Sequence, residues 1–215
     1  STPVSIGVCG QGDGLWMLDQ DGKPVTDAIL WNDSFAQRSV DEWVATGAAF
    51  TVSRNCGTDL WAGTSAAIYK QLELDAPDLA AKAATILNSK DWINYKLTGK
   101  LATDFSDATI PFFDLNLMEY ASESFKELGV EVLKDAVLSP QISKSKLGYI
   151  LTEVAQSTGL PEGLPVAVGA IDIGAIHVGL GLNAPGDVLL ILGTTAVVSV
   201  VTDPIPPVPP IIGAT

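Results

Sequence analysis

The sequence predicts an α/β protein. Short apolar runs of strand length alternate with segments apolar at helical spacing, and glycines and prolines punctuate the joins. No repeat of solenoid length interrupts the alternation. Residues 4–8 read as a buried strand and 15–18 as a second, with Asp21-Gly22 as the turn to a third over 28–31. Helical spacing runs over 35–46, and two further helices are predicted over 61–74 and 78–84. Ser89, followed by Asp91 and Trp92, reads as the N-cap of a helix that Gly99 closes near Leu97. Shorter helices are expected over 119–128 and 131–136.

The last third reads as a helix over 151–158 ended by Gly159, a strand over 165–168, and an apolar helix over 171–180. Residues 187–192 and 196–201 then form two strands around a tight Gly193-Thr194-Thr195 turn. The proline-rich stretch from Asp203 to Pro210 excludes a helix or an inner strand, leaving a loop or a polyproline docking segment. The chain opens directly on a strand and stops soon after a new strand pair, so a fragment of a larger protein is expected.

Composition narrows the partners. A net charge of −13, from 25 acidic and 12 basic residues, repels phosphate backbones and anionic lipid. Neither nucleic acid nor membrane is an expected partner. An anionic ligand would need magnesium, helix N-termini or backbone N–H groups to help it bind. Cys9 and Cys56 make no disulfide framework, no CxxC pattern suggests zinc, and His177 is the sole histidine. No apolar run has membrane-spanning length and the start lacks a signal-peptide pattern, so the cytoplasm is the expected compartment. A homodimer stays open.

Three places could carry chemistry. Gly10-Gln11-Gly12-Asp13-Gly14 follows a strand, but a dinucleotide fingerprint needs a helix next, and Leu15-Trp16-Met17-Leu18 continues as strand. Either the glycines admit a polyhydroxylated ligand to Gln11 and Asp13, or they form a plain turn. Asp172, between a buried strand and an apolar helix, meets free helix N–H groups that keep it ionised and able to accept a proton from an alcohol. A helix cap without chemistry explains it equally. The Gly193-Thr194-Thr195 turn could present N–H groups and hydroxyls to phosphate, or be an ordinary hairpin turn.

Read in order, these motifs are more specific than any one alone. Ile6-Gly7-Val8-Cys9-Gly10-Gln11, Leu18-Asp19-Gln20-Asp21-Gly22-Lys23-Pro24 and Ala28-Ile29-Leu30-Trp31-Asn32-Asp33 open the series. Asp91-Trp92-Ile93, Leu97-Thr98-Gly99 and Asp104-Phe105-Ser106-Asp107-Ala108 continue it. Gly159-Leu160, Gly163-Leu164-Pro165-Val166, Gly169-Ala170-Ile171-Asp172 and Gly193-Thr194-Thr195 complete it. Over nearly the whole chain the series resembles the FGGY carbohydrate kinases.

The resemblance implies an actin-like ATPase, ribonuclease-H-like fold in two domains, with sugar and ATP meeting between them. Residues 1–184 would be most of the N-terminal domain, without its first strands and phosphate loop, and 185–215 the start of the C-terminal domain. Asp172 matches the family's general base. Gln11, Gly12, Asp13 and Trp61 fall at sugar-contacting positions, and Gly193, Thr194 and Thr195 at a loop for ATP phosphates. Magnesium would accompany ATP, but no metal ligand is assigned within this chain.

The family's Asp-x-Gly-Thr loop is absent from the chain. Ile173 stands where Asn or Gln is usual, and Ser34-Phe35 replaces an Arg-containing run. The Gly-Gln-Gly-Asp-Gly run is most similar to kinases of ketopentoses such as xylulose, with erythritol as the alternative. Glycerol fits less well, because the Arg-Glu pair of glycerol kinases is replaced by Gly12-Asp13. A catalytically inactive sugar-binding relative is the rival from another class.

Overall fold

The computed structural model describes residues 2–108, 112–193 and 196–203. Its central connection joins the beginning of the chain to its last third. The strand Cys9–Gly10 pairs in parallel with Ala170–Ile171, Cys9 opposite Ala170 and Gly10 opposite Ile171. Earlier along the same line, Ile6 bridges Val166 in the same sense. Pro165–Ala167 in turn pairs antiparallel with Lys146–Tyr149. Between the two short pieces of this strand, Gly169 turns the chain at φ +80°, where a Cβ would run into the carbonyl oxygen of Val8. Glycine meets both demands, because it tolerates positive φ and leaves room for the backbone beside it.

A second antiparallel group pairs Trp16–Leu18 with Thr85–Leu87, while Leu15 bridges Ile29 and Leu18 bridges Pro24. Thr103–Asp104 runs parallel to Pro140–Gln141, and Phe113–Asp114 forms a small hairpin with Glu119–Tyr120. The predicted strand over 4–8 is therefore shifted, since within it only Ile6 bridges and the ladder forms at Cys9–Gly10. The predicted strand over 28–31 reduces to the single Ile29 bridge.

The helices follow the predicted order with altered ends. Gln37–Thr46 is followed at once by Ala48–Cys56, a helix the spacing did not suggest, because Gly47 at φ 85° turns the chain between them. Ser65–Asp75 starts four residues after the predicted position, with Trp61 in the turn that precedes it. Pro77–Ala80 is short because the chain soon enters the Thr85–Leu87 strand. Ser89–Thr98 ends on Gly99 as expected, but its N-cap is Asn88 rather than Ser89. The Asn88 N–H donates to Asp91 Oδ2 at 3.2 Å, so the carboxylate serves the helix start.

Ser122–Glu127 is shorter than predicted, since Glu119–Tyr120 pairs as strand, and Glu131–Asp135 is a tighter 3₁₀ helix. Thr152–Thr158 and Asp172–Leu180 end on Gly159 and Gly181.

The main core packs the first three helices against Trp16–Leu18 and the Ser122–Glu127 region, with Trp43, Val52, Ile68 and Phe125 buried together. Phe112 and Phe125 stack there with ring centroids 3.9 Å apart. A smaller core under the strand group around Pro165–Ala167 buries Ile150, Leu164 and Val166.

The hairpin of Val188–Leu192 and Ala196–Val200 pairs with no other described strand. Its apolar residues Val188, Leu190, Leu192, Val198 and Val200 are exposed, as are Val178 and Leu180 on the preceding helix. The proline-rich stretch beyond Asp203, whose role the sequence leaves open, lies outside the described residues. No described helix is long and apolar enough to cross a membrane.

Candidate functional site

Because Gly10 lies opposite Ile171 on parallel strands, Gln11 and Asp172 leave adjacent C-terminal strand ends together. Such ends are where open α/β sheets hold ligands. Gly12 then packs so closely on Ile171 that a Cβ would meet its side chain, with the Asp107 carboxylate farther off, 3.6 Å from that Cβ position. The structure thus brings Gln11, Gly12, Asp13 and Asp172 to one edge.

Asp172 opens the Asp172–Leu180 helix, half-buried, and its Oδ1 accepts the Ile173 N–H at 2.7 Å. The Ile171 N–H donates to Ser106 Oγ at 2.9 Å, which fixes the strand end just before it. On the other strand, the Gln11 carbonyl accepts the Ser89 hydroxyl at 2.8 Å. Gly14 N–H donates to the Gly63 carbonyl at 2.8 Å, so the Trp61–Gly63 turn lies against the glycine loop. Trp61 is half-buried, and its carbonyl accepts both the N–H and the hydroxyl of Thr64, at 3.0 and 2.9 Å.

Gly193 follows Leu192 into the turn of the hairpin, while Thr194 and Thr195 lie outside the described residues. The hairpin meets the Asp172–Leu180 helix through His177 Nε2 and Ser199 Oγ, 2.8 Å apart.

Asp13 is the most perturbed of these groups. It takes φ 57°, a left-handed conformation uncommon for a side chain other than glycine. The residue is half-buried, but its Oδ1 is shut off from solvent without a hydrogen-bond partner. Burial, reinforced by the negative charge of Asp107, pushes its pKa up to about 8. At neutral pH Asp13 is therefore protonated, and it can donate one hydrogen bond as well as accept others.

Beneath the loop lies a cluster to which the sequence assigned no chemistry. Lys90 is fully buried, with Nζ 2.5 Å from Asp91 Oδ1, 2.8 Å from Asp107 Oδ2 and 3.0 Å from Asp104 Oδ1. Burial favours the neutral amine, but the carboxylates of Asp107, Asp91 and Asp104 outweigh it and hold the pKa above the ordinary lysine value. Burial in turn pushes Asp107 upward against the pull of Lys90. The signal available in the sequence was a lysine beside the helix-start Asp91, followed by two aspartates three residues apart. Nothing in that spacing says that all four meet.

Among the described residues no group of three or more His, Cys, Asp or Glu is arranged to hold a metal. Asp91, Asp104 and Asp107 already share the Lys90 ammonium, so they do not fit a magnesium site.

Two parallel strands thus end beside one another with Asp13 and Asp172 just beyond them, and sequence relationships give the family. The chain belongs to the FGGY family of carbohydrate kinases, whose N-terminal domain matches residues 1–179. It is 32% identical over 180 residues to an erythritol kinase of Brucella abortus, covering 83% of this chain and 34% of that protein. It is 32% identical over 211 residues to a xylulose kinase of Haemophilus influenzae, covering 96% of this chain and 43% of that one.

Among solved structures, a xylulose kinase from Rhodospirillum rubrum superposes with a TM-score of 0.79 at 29% identity, over 88% of this chain and 39% of that chain. One from Brucella ovis described as a xyloylose kinase gives 0.80 at 26% identity, over 92% and 40%. The fold is thus the actin-like ATPase fold of these kinases. The chain covers between 34% and 43% of the two curated relatives' lengths.

Proposed function

We propose that this chain is the sugar-binding part of an ATP-dependent kinase that phosphorylates a hydroxyl of a ketopentose such as xylulose, with Asp172 as the general base. The observation that carries this is the pairing of Gly10 with Ile171, which sets the Gln11-Gly12-Asp13 loop beside Asp172. Asp172 Oδ1 is engaged by the Ile173 N–H, leaving Oδ2 to take the proton of the attacking hydroxyl. Gln11 and Asp13 would bind neighbouring hydroxyls, Gly12 would let the sugar approach the backbone, and Trp61 would wall the site.

ATP supplies the phosphoryl group. Gly193, Thr194 and Thr195 are the residues of this chain assigned to its phosphates. A turn joining two paired strands suits that contact. No step is assigned to magnesium in this part of the protein. The chemistry asked of the chain is mainly orientation of the hydroxyl for in-line transfer.

Residues 1–184 form the N-terminal domain on this reading and 185–215 open the second. The self-paired hairpin with its exposed apolar face supports that boundary. Transfer then requires the rest of the protein, and the chain by itself turns over poorly or not at all. Erythritol is the second reading, favoured by the 32% identity to the Brucella erythritol kinase. Ile173, at the position where Asn or Gln is usual, favours an inactive sugar binder.

The test is ADP release by the complete reading frame with xylulose isomers, ribulose, erythritol and glycerol. One ketopentose is expected to turn over, and Asp172→Asn to lower the rate by about 10²–10⁴-fold while calorimetry still detects sugar binding. Turnover confined to erythritol moves the substrate and keeps the base. Sugar binding without turnover selects the inactive relative.

A further inference from the structure

We infer that Lys90 is a positioning residue for this site, its buried ammonium holding the strand end of Asp172 and the loop of Gly12 and Asp13 in one fixed relation. This rests on the kinase reading for its catalytic consequence, but the geometry stands by itself.

One arm runs from Lys90 to Asp104 Oδ1 at 3.0 Å. Asp104 Oδ2 accepts the hydroxyls of Ser106 and Ser143, each at 2.7 Å. Ser106 Oγ then accepts the Ile171 N–H at 2.9 Å, one residue before Asp172. Because Ser106 donates to Asp104 and accepts from Ile171, its hydroxyl has one defined orientation.

The other arm runs from Lys90 to Asp107 Oδ2 at 2.8 Å. Asp107 Oδ1 has no hydrogen-bond partner and lies 3.6 Å from where a Gly12 Cβ would be. The lysine stem runs close to two glycines of the paired segments. Lys90 Cβ lies 3.5 Å from the Cβ position of Gly10, and Lys90 Cδ lies 3.5 Å from that of Gly169. Lys90 thus lies beside both paired segments, is linked through Asp104 and Ser106 to the strand end before Asp172, and holds the Asp107 carboxylate that faces Gly12.

Stability alone is a weak explanation for such a cluster, because buried ion pairs are often no better than apolar packing of the same volume. A ligand edge that must hold two strands in register to a fraction of an ångström is a stronger one.

The test uses the complete protein. Ser106→Ala cuts the arm to Ile171 and leaves the ion cluster intact. It is expected to lower kcat by about 10–100-fold with KM for the sugar within about twofold, because Asp172 is displaced and the sugar loop is not. Ser106→Thr keeps the hydroxyl and restores most of kcat. Asp107→Asn removes the charge that Lys90 holds beside Gly12 and Asp13 and is expected to raise KM by roughly tenfold with a smaller change in kcat.

Hydrogen exchange reads the same arms without turnover. Amides 170–173 should exchange faster in Ser106→Ala, and amides 11–14 in Asp107→Asn, at unchanged unfolding midpoints. Lys90→Met removes both arms, but it strands three carboxylates and could fail to fold, so the decision lies with the two milder variants. Unchanged kinetics and unchanged local exchange in both would overturn the inference, as would a lowered unfolding midpoint as the sole effect. If the wild-type protein phosphorylates no sugar, the kinase reading falls and exchange alone decides the role of Lys90.

Discussion

Asp13 faces a conflict that it shares with Asp107. Asp13 Oδ1 is shut off from solvent without a hydrogen-bond partner, and Asp107 adds like charge. The pKa is therefore raised from 3.8 to about 8. The folded protein then binds a proton more tightly than the unfolded chain does. The associated stability is fully present below about pH 4 and is lost as pH rises toward about 8, beyond which the loss levels off.

Asp13→Asn removes this dependence. The variant is expected to melt several degrees above the wild-type protein at about pH 9 and close to it near pH 4, read by thermal unfolding across pH. A matching offset at both ends of that range would mean that Asp13 is already charged at neutral pH. The same proton bears on recognition. A neutral Asp13 can donate to a sugar oxygen, so sugar affinity should weaken as pH passes about 8, checked by calorimetric titration.

At the scale of the elements, the parallel pair is made possible by a residue without a side chain. Gly169 needs both its positive φ and its empty Cβ position beside Val8. Gly169→Ala is expected to cost at least about 2 kcal/mol, because alanine is strained at that φ and meets a backbone atom that cannot swing away. Chemical denaturation measures it directly.

Elements of this kind also mark the limit of what the residues announce. Helix ends at Gly99 and Gly159 were legible, since both take the left-handed conformation that stops a helix. Strands of two or three residues were not, because Thr103–Asp104 and Pro140–Gln141 are too short for alternation and form through pairing with distant segments. Of the site, Asp13 stood out within a glycine cluster and Asp172 between a buried strand and an apolar helix. Lys90 did not, because a lysine near a helix start is ordinarily solvated. Its burial depends on Asp104 and Asp107, which reach it from another element.

Across the whole molecule, two regions differ in how completely they are covered. The main core is closed, and Phe125 is buried and stacked on Phe112. Phe125→Ala is expected to destabilise the protein by about 3–5 kcal/mol, measured by denaturant unfolding. The hairpin is open, with Leu190 at 56% exposure, comparable to Val44 at 64% on the first helix. If 185–215 opens a second domain, Leu190→Glu lowers the unfolding midpoint of the complete protein while Val44→Glu leaves it nearly unchanged. Equal effects would count against that boundary.

The pairing of Cys9 with Ala170 has a consequence for synthesis as well. Its two strands leave the ribosome about 160 residues apart, which at about 5–20 residues per second is a delay of roughly 10–30 s. During that interval the first strand has no parallel partner, and the loop of Gln11 and Asp13 has no strand end beside it. The edge that joins Asp13 to Asp172 therefore forms late, after most of the main core has been translated.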